Sequence, residues 1–377
     1  MRAGAAGSPV WRFTMAFTGV GSTMLGPFLP QLLGKWRLHD HQGGMLVACL
    51  FLGSFSGTLM LSHRLEHSLR RGAWGATAGC ALLGLSTYFT YGFPVGLIAL
   101  LVMGFGMGQL MSSINLLVGA SPASVRSRAL ANVSAAWCIG AVLSPILSTV
   151  LLPAFSSSMR LILFATLFLL PLFSKRIEYE EPIAPEVRPG WRAYASKGSL
   201  LFIFIFLVYG GIEASISAWL PEFANRFSGS ALSMAQWSLS LFWAGLIAGR
   251  LMTGAITAHV RESVLMRLAT ISSLVCLLWL VASPSLVPLA GWSVLMGILI
   301  SPLFPLSLST ALSYGFPTRV MGGILAACAL GSAVFPFLLG VLSSVFSLRV
   351  GMMLPALGLF LLLIFLEDSR RHVEVHP

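Results

Sequence analysis

Apolar residues run along this chain in stretches of about 18 to 25, the length a helix needs to cross a hydrocarbon layer about 30 Å thick. Gly, Pro and charged residues punctuate the runs. Twelve segments can be placed. The first half gives Phe13–Leu33, Gln42–Leu61, Ala73–Tyr91, Pro94–Val118, Ala129–Leu152 and Arg160–Phe173. The second gives Ser199–Leu220, Ser233–Ile256, Val264–Ala282, Leu286–Tyr314, Met321–Ser344 and Leu348–Leu366. The runs do not alternate as barrel strands do, which argues against a transmembrane β-barrel. The pattern predicts an all-α polytopic membrane protein of 12 transmembrane helices in two pseudo-symmetric six-helix bundles.

Between the sixth and seventh segments lies the one long connection, Ser174–Gly198, rich in Pro and mixed charge. It reads as a cytoplasmic linker. The expected organisation is an N-terminal bundle over 1–173, the linker over 174–198 and a C-terminal bundle over 199–377.

The halves repeat at an offset of about 191 residues. Gly19-Val-Gly-Ser22 and Leu29-Pro30 align with Gly210-Gly-Ile-Glu213 and Leu220-Pro221. The stretch Phe51 to Met60 aligns with Trp243 to Met252, and Ala135 to Pro145 with Ala326 to Pro336. Gly53xxxGly57 and Gly245xxxGly249 are spaced to let helix backbones approach closely. A parallel repeat of this kind is the architecture in which two bundles rock around a central site.

Composition supports the membrane assignment, since 56% of the residues are apolar and 9% charged, against about 25% charged in soluble domains. The net charge of +11 is dispersed singly and in pairs between apolar runs, so it reports topology and not nucleic-acid binding. With both termini cytoplasmic, 18 basic residues fall inside and 5 outside, as the positive-inside rule requires. Phe13–Leu33 is too long for a signal-peptide core and stays as the first helix. Cys49, Cys80, Cys138, Cys276 and Cys328 fall inside segments without metal-ligand spacing, and read as small core residues with no metal or disulfide.

The acids sort into loops on one side or the other, Asp40 and Glu222 outside and nine inside, with a single exception. Glu213, in the seventh segment, belongs to neither face. An acidic side chain at mid-depth costs roughly 2.5 kcal/mol or more unless paired, hydrated or protonated. Tyr209, Glu213 and Ser217 recur every four residues and share a helix face, beside Gly210-Gly211, which could loosen the helix and bare backbone carbonyls. Burial favours the neutral form of a carboxylate and a nearby cation the charged form, so an alternately accessible acid can load and release a proton. Two other readings stand beside this one: a permanently hydrogen-bonded Glu213 that fixes helix packing, and a Na⁺ site, since oxygen ligands suit a hard cation. Gln109 and Asn115 in the fourth segment, Gln236 in the eighth, Trp137 in the fifth and Ser22 in the first are further candidates for contact with solute. Amides fix the orientation of a polyhydroxylated solute and rings supply area. Arg250, near the inner end of the eighth segment, is expected to snorkel to the cytoplasmic interface.

The twelve-segment, two-half pattern resembles the major facilitator superfamily over essentially the whole chain. Gly26-Pro-Phe-Leu-Pro30 with Asp40-His-Gln-Gly43, and Tyr209-Gly-Gly-Ile-Glu213 with Trp219-Leu-Pro221, are similar to its fucose permease-like sugar:proton symporters. The superfamily's inner loop signature pairs an acid with basic residues; here Arg64, Arg70, Arg71 and, in the second half, Arg261 keep the basic part, and the Asp is missing. The fucose-type coupling carboxylates of the first half are missing too, and Ser22 stands opposite Glu213 in the repeat.

These features point to a secondary transporter of a small, sugar-like organic solute, proton-coupled through Glu213. It needs no cofactor, contacts lipid and not nucleic acid, and is expected to be a monomer in a bacterial inner membrane. Two alternatives are an efflux antiporter, for which Gly140-x-x-x-Ser144-Pro145 is a partial signature, and a non-transporting sensor or scaffold on the same fold. No catalytic acid-base pair or metal constellation lies at membrane depth, so an enzyme is not expected.

Overall fold

A computed structural model of the chain describes residues 9–61, 65–89, 92–119, 123–148, 156–173, 194–227, 232–257, 259–283, 285–314, 316 and 318–373. All regular structure among these residues is helical. The chain divides into two compact units, Met1–Glu186 and Val187–Pro377. Residues 174–193 of the expected linker lie outside the described residues.

Unit 1 contains α1 (Pro9–Thr23), α2 (Leu25–Trp36), α3 (Asp40–Leu59), α4 (Leu65–Ser86), α5 (Phe93–Gly119), α6 (Ala123–Ile146) and α7 (Ser157–Leu167), followed by a 3₁₀ turn, Leu170–Phe173. Unit 2 contains α8 (Lys197–Phe227), α9 (Leu232–Ile256), α10 (Glu262–Ala282), α11 (Leu286–Ile300), α12 (Leu303–Ser313), α13 (Thr318–Val345), α14 (Leu348–Gly351) and α15 (Leu354–Val373). Among the described residues, seven helical stretches are long and apolar enough to cross a membrane. Large apolar side chains such as Trp279, Leu357 and Phe360 are exposed, as expected where the surrounding solvent is lipid.

Four segments that read as single helices are divided, and proline accounts for each division. Proline has no N–H and its ring crowds the carbonyl four residues back. Pro27 thus interrupts the first segment near Met24, Pro171 ends α7, Pro302 and Pro305 separate α11 from α12, and Pro355 separates α14 from α15. At the third of these the Ser301 hydroxyl donates to the Ile298 carbonyl at 2.8 Å, supplying the hydrogen bond that Pro302 cannot.

The internal repeat is built into the packing of each unit. In unit 1, α1 lies against α6: a Cβ added at Gly19 would overlap the Trp137 carbonyl, and one at Gly140 the Ala16 carbonyl. In unit 2, α8 lies against α13 in the same way, Gly210 on the Cys328 carbonyl and Gly331 on the Leu207 carbonyl. All four residues shift by the same 191 positions. Gly53 and Gly57 likewise bring α3 onto α5, as Gly245 and Gly249 bring α9 onto α11. Where no hydrophobic force draws helices together, such backbone proximity supplies dispersion contact instead.

Two expectations are corrected on α8. Gly210-Gly211 does not loosen it, because the helix runs unbroken from Lys197 to Phe227. The two glycines instead admit Cys328 and Phe335 of α13, and the Ser332 hydroxyl donates to the Gly210 carbonyl at 3.1 Å. Glu222 is also not in a loop. The helix continues through Pro221, leaving Glu222 buried and paired with Arg226 one turn on, at 2.5 Å.

Candidate functional site

The site is assembled on α8 in unit 2. Tyr209 and Glu213 stand one turn apart, and the Tyr209 hydroxyl donates to Glu213 Oε2. The phenol ring is buried against Phe304 of α12 at a centroid distance of 5.5 Å, and Phe206 meets the same ring at 5.4 Å. This wedge fixes the hydroxyl over the carboxylate. Ser217 follows one turn further and is also buried. Pro221 has no N–H to offer the Ser217 carbonyl, so this turn adds a backbone acceptor to the face.

Arg250 completes the arrangement from α9, which packs on α8. Its Nη2 lies 3.9 Å from Glu213 Oε2, with side chains 26% and 19% exposed. The expectation that Arg250 snorkels to the interface is therefore corrected. It stands six residues before the end of α9, about 9 Å along the axis, and turns to the carboxylate of α8. An isolated acid in an apolar span costs about 2.5–3.5 kcal/mol; a phenol donor and a facing cation offset that cost and fix the direction of the carboxylate. Cys328 of α13 lies against Gly210 on the same stretch of α8.

The other candidates are placed elsewhere. Gln236 is buried on α9, 14 residues from Arg250 and so about 21 Å along the helix. In unit 1, the amide of Gln109 donates to the Gly57 carbonyl at 2.8 Å and the Met60 carbonyl at 3.0 Å, joining α5 to the end of α3. Asn115 is exposed and Trp137 half-buried. The Ser22 hydroxyl donates to the Thr18 carbonyl of its own helix at 2.8 Å.

Of the inner basic residues, Arg64 lies outside the described residues. Arg70 pairs with Glu66 at 2.7 Å on the surface, and Arg261 is exposed at the start of α10. Arg71 reaches the Met60 carbonyl and the Ser68 hydroxyl, each at 3.4 Å. Through Met60, Arg71 thus meets the carbonyl end of α3, which carries partial negative charge.

Sequence reasoning missed the pairing of Arg250 with Glu213. The signal was present: an arginine inside an apolar run and not beyond its end needs an internal partner, and Glu213 was the one acid left without a loop.

Two units built from one repeat, each of close-packed apolar helices, with Glu213 facing Arg250 inside one of them, are the architecture of an integral membrane protein. The chain belongs to the Major Facilitator Superfamily, whose family model matches residues 13–315. It is 23% identical over 355 residues to a glucose/galactose transporter of Brucella abortus biovar 1 (strain 9-941), covering 87% of this chain and 85% of that one. It is 24% identical over 374 residues to the glucose/mannose transporter GlcP of Bacillus subtilis (strain 168), covering 92% and 88%. Among solved structures it superimposes on a D-xylose-proton symporter with a TM-score of 0.73 at 13% identity, covering 95% of each chain. The resemblance to sugar:proton symporters read from short motifs is met by these proteins, and the chain is a transporter, not an enzyme.

Proposed function

We propose that the protein moves a small, sugar-like solute across a bacterial inner membrane by alternating access, coupled to protons through Glu213. Twelve spans in two six-helix bundles, joined by the inner linker and with both termini cytoplasmic, complete this reading. The observation that carries it is Glu213 held between the Tyr209 hydroxyl and Arg250. A carboxylate with a defined hydrogen-bond donor and a defined counter-charge has two distinct states. Ionised, it binds Arg250 and ties α8 to α9; protonated, it loses most of that attraction and frees both helices to rearrange.

Sugar-like solutes are supported by the two curated relatives, which are named for glucose with galactose or mannose. Tyr209 and Ser217 are the polar groups we assign to solute at Glu213; Gln236 of α9 and Ser22, Gln109, Asn115 and Trp137 of unit 1 are kept as solute contacts outside that site. The guanidinium 3.9 Å from Glu213 argues against sodium at this carboxylate, because two cations would then share one acid.

The test is uptake by reconstituted vesicles of a panel of labelled hexoses, pentoses and sugar acids under an inward proton gradient. Accumulation of at least one solute above equilibrium, abolished by a protonophore, is the expected result. Entry only to equilibrium, unaffected by the gradient, would contradict proton coupling. No entry of any panel member would contradict the sugar-like assignment.

A further inference from the structure

We propose that the outward stripe of α4 holds an anionic phospholipid of the surrounding leaflet, its phosphate on Arg70 and Arg71 and its acyl chains along Trp74. The inference rests on α4 crossing the bilayer as the third span, and on nothing assumed about solute or proton. The exposed positions His67, Arg70, Arg71, Trp74, Ala78 and Leu85 fall within about a third of the helix circumference. The stripe is basic through Arg71 and apolar beyond it. Arg71 and Phe89 are 18 positions apart, about 27 Å at the helical rise, near the roughly 30 Å thickness of a hydrocarbon layer. Tyr88 and Phe89, 59% and 66% exposed, mark one interface as aromatic residues do. The arginines then stand at headgroup level at the other, with Trp74, 60% exposed, one turn inside them.

The end of α3 supplies a second wall. It carries Leu59 and Met60, 61% and 60% exposed, and Arg71 Nη2 lies 3.4 Å from both the Met60 carbonyl and the Ser68 hydroxyl. These contacts seat the guanidinium at the joint of the two helices and leave Nε and Nη1 as donors. Arg70, its side chain 61% exposed, pairs with Glu66 at 2.7 Å, a surface pair of small worth that a lipid phosphate can displace. A guanidinium grips phosphate through two parallel N–H bonds, and each arginine near a membrane surface adds to the attraction of anionic lipid. A free anion gains nothing from exposed Leu59, Met60 and Trp74. An acyl chain covers them.

The other half of the repeat lacks this surface. A shift of 191 positions carries His67, Arg70, Arg71 and Trp74 to Ala258, Arg261, Glu262 and Leu265. Arg261 is exposed at the start of α10, but the next position is an exposed acid, and a leucine replaces the indole. A basic residue that served only to orient the chain in the membrane would need neither a second arginine beside it nor a tryptophan one turn further in. The combination is particular to unit 1 and matches a headgroup joined to its chains.

The test is native mass spectrometry of the full-length protein in detergent, titrated with phosphatidylglycerol, with phosphatidylcholine of the same acyl chains, or with inorganic phosphate. The expected result is one phosphatidylglycerol retained in preference to phosphatidylcholine and not displaced by phosphate. Arg70→Gln and Arg71→Gln should each weaken that binding about fivefold, and Arg261→Gln should leave it unchanged. Glu66→Gln should tighten it about twofold or more by freeing Arg70, a gain that a misfolded variant cannot mimic. Equal retention of the two lipids would overturn recognition by charge, and displacement by phosphate would reduce the site to one for a free anion. Loss in Arg261→Gln equal to that in Arg70→Gln would replace the site with diffuse surface charge. Retention only after Glu178, Glu180 and Glu181 are replaced by Gln would assign the arginines to the linker. No retention by any form would overturn the inference outright, and none of these outcomes bears on solute uptake.

Discussion

Arg250 Nη2 stands 3.9 Å from Glu213 Oε2, on the same oxygen to which the Tyr209 hydroxyl donates. One carboxylate oxygen therefore joins α8 to α9, while the Tyr209 ring joins it through Phe304 to α12. A change of charge on Glu213 is felt by three helices at once. That makes the acid a suitable trigger for a conformational step, because packed helices shift between discrete arrangements and do not deform continuously.

The paired glycines yield a prediction about stability. Gly140→Ala and Gly331→Ala each force a methyl group onto a facing carbonyl, of Ala16 and Leu207 respectively. Overpacking of this kind costs about 1–3 kcal/mol, and both variants should melt at lower temperature in detergent. Gly291→Ala is the control, since nothing stands within 4 Å of an added Cβ there; it should be neutral or slightly stabilising, because Ala is the better helix former. Equal behaviour of all three would contradict the close-contact role.

Gln109 offers a second, opposed test. Its amide serves the Gly57 and Met60 carbonyls, so Gln109→Leu should destabilise the protein by about 1–3 kcal/mol by leaving the buried Gly57 carbonyl without this donor. If Gln109 also contacts solute, as proposed for unit 1, the variant must weaken solute binding as well. A loss of thermal stability with unchanged solute affinity would assign Gln109 to the α3–α5 joint alone.

Ser301→Ala should be costly for its size. The hydroxyl donates to Ile298 at the break before Pro302, and losing one such hydrogen bond costs about 1 kcal/mol. It also lies where a Cβ on Gly249 would go, so the smaller side chain should make Gly249→Ala better tolerated in the double variant. Strict additivity of the two substitutions in a thermal-shift cycle would contradict that coupling.

Much of this fold is legible in the sequence because each helix in lipid must satisfy its own backbone, which imposes long apolar runs and marks their ends with charge and proline. The repeat was legible for a related reason: glycines such as Gly19, Gly140, Gly210 and Gly331 sit where no side chain fits, and their spacing survives where other residues drift. The breaks near Met24 and Ser301 were less so, because proline bends one helix and is absorbed by another; Pro221 leaves α8 whole while Pro302 divides α11 from α12. The acid of the site was legible through charge counting, since Glu213 had no loop to belong to. Its partner was not, because Arg250 lies close enough to a segment end to pass for an interfacial residue. Pairing across helices depends on their rotation about their own axes, which a hydropathy pattern fixes poorly when the apolar runs face lipid as well as protein.

The measurement closest to the central claim is transport by Glu213→Gln, using whichever panel solute the wild-type protein accumulates. Glutamine keeps the shape of the side chain and accepts from Tyr209 but cannot exchange a proton. The expected result is loss of accumulation under a proton gradient, with solute counterflow between equilibrated vesicles retained. Accumulation equal to that of the wild type would contradict the role assigned to Glu213.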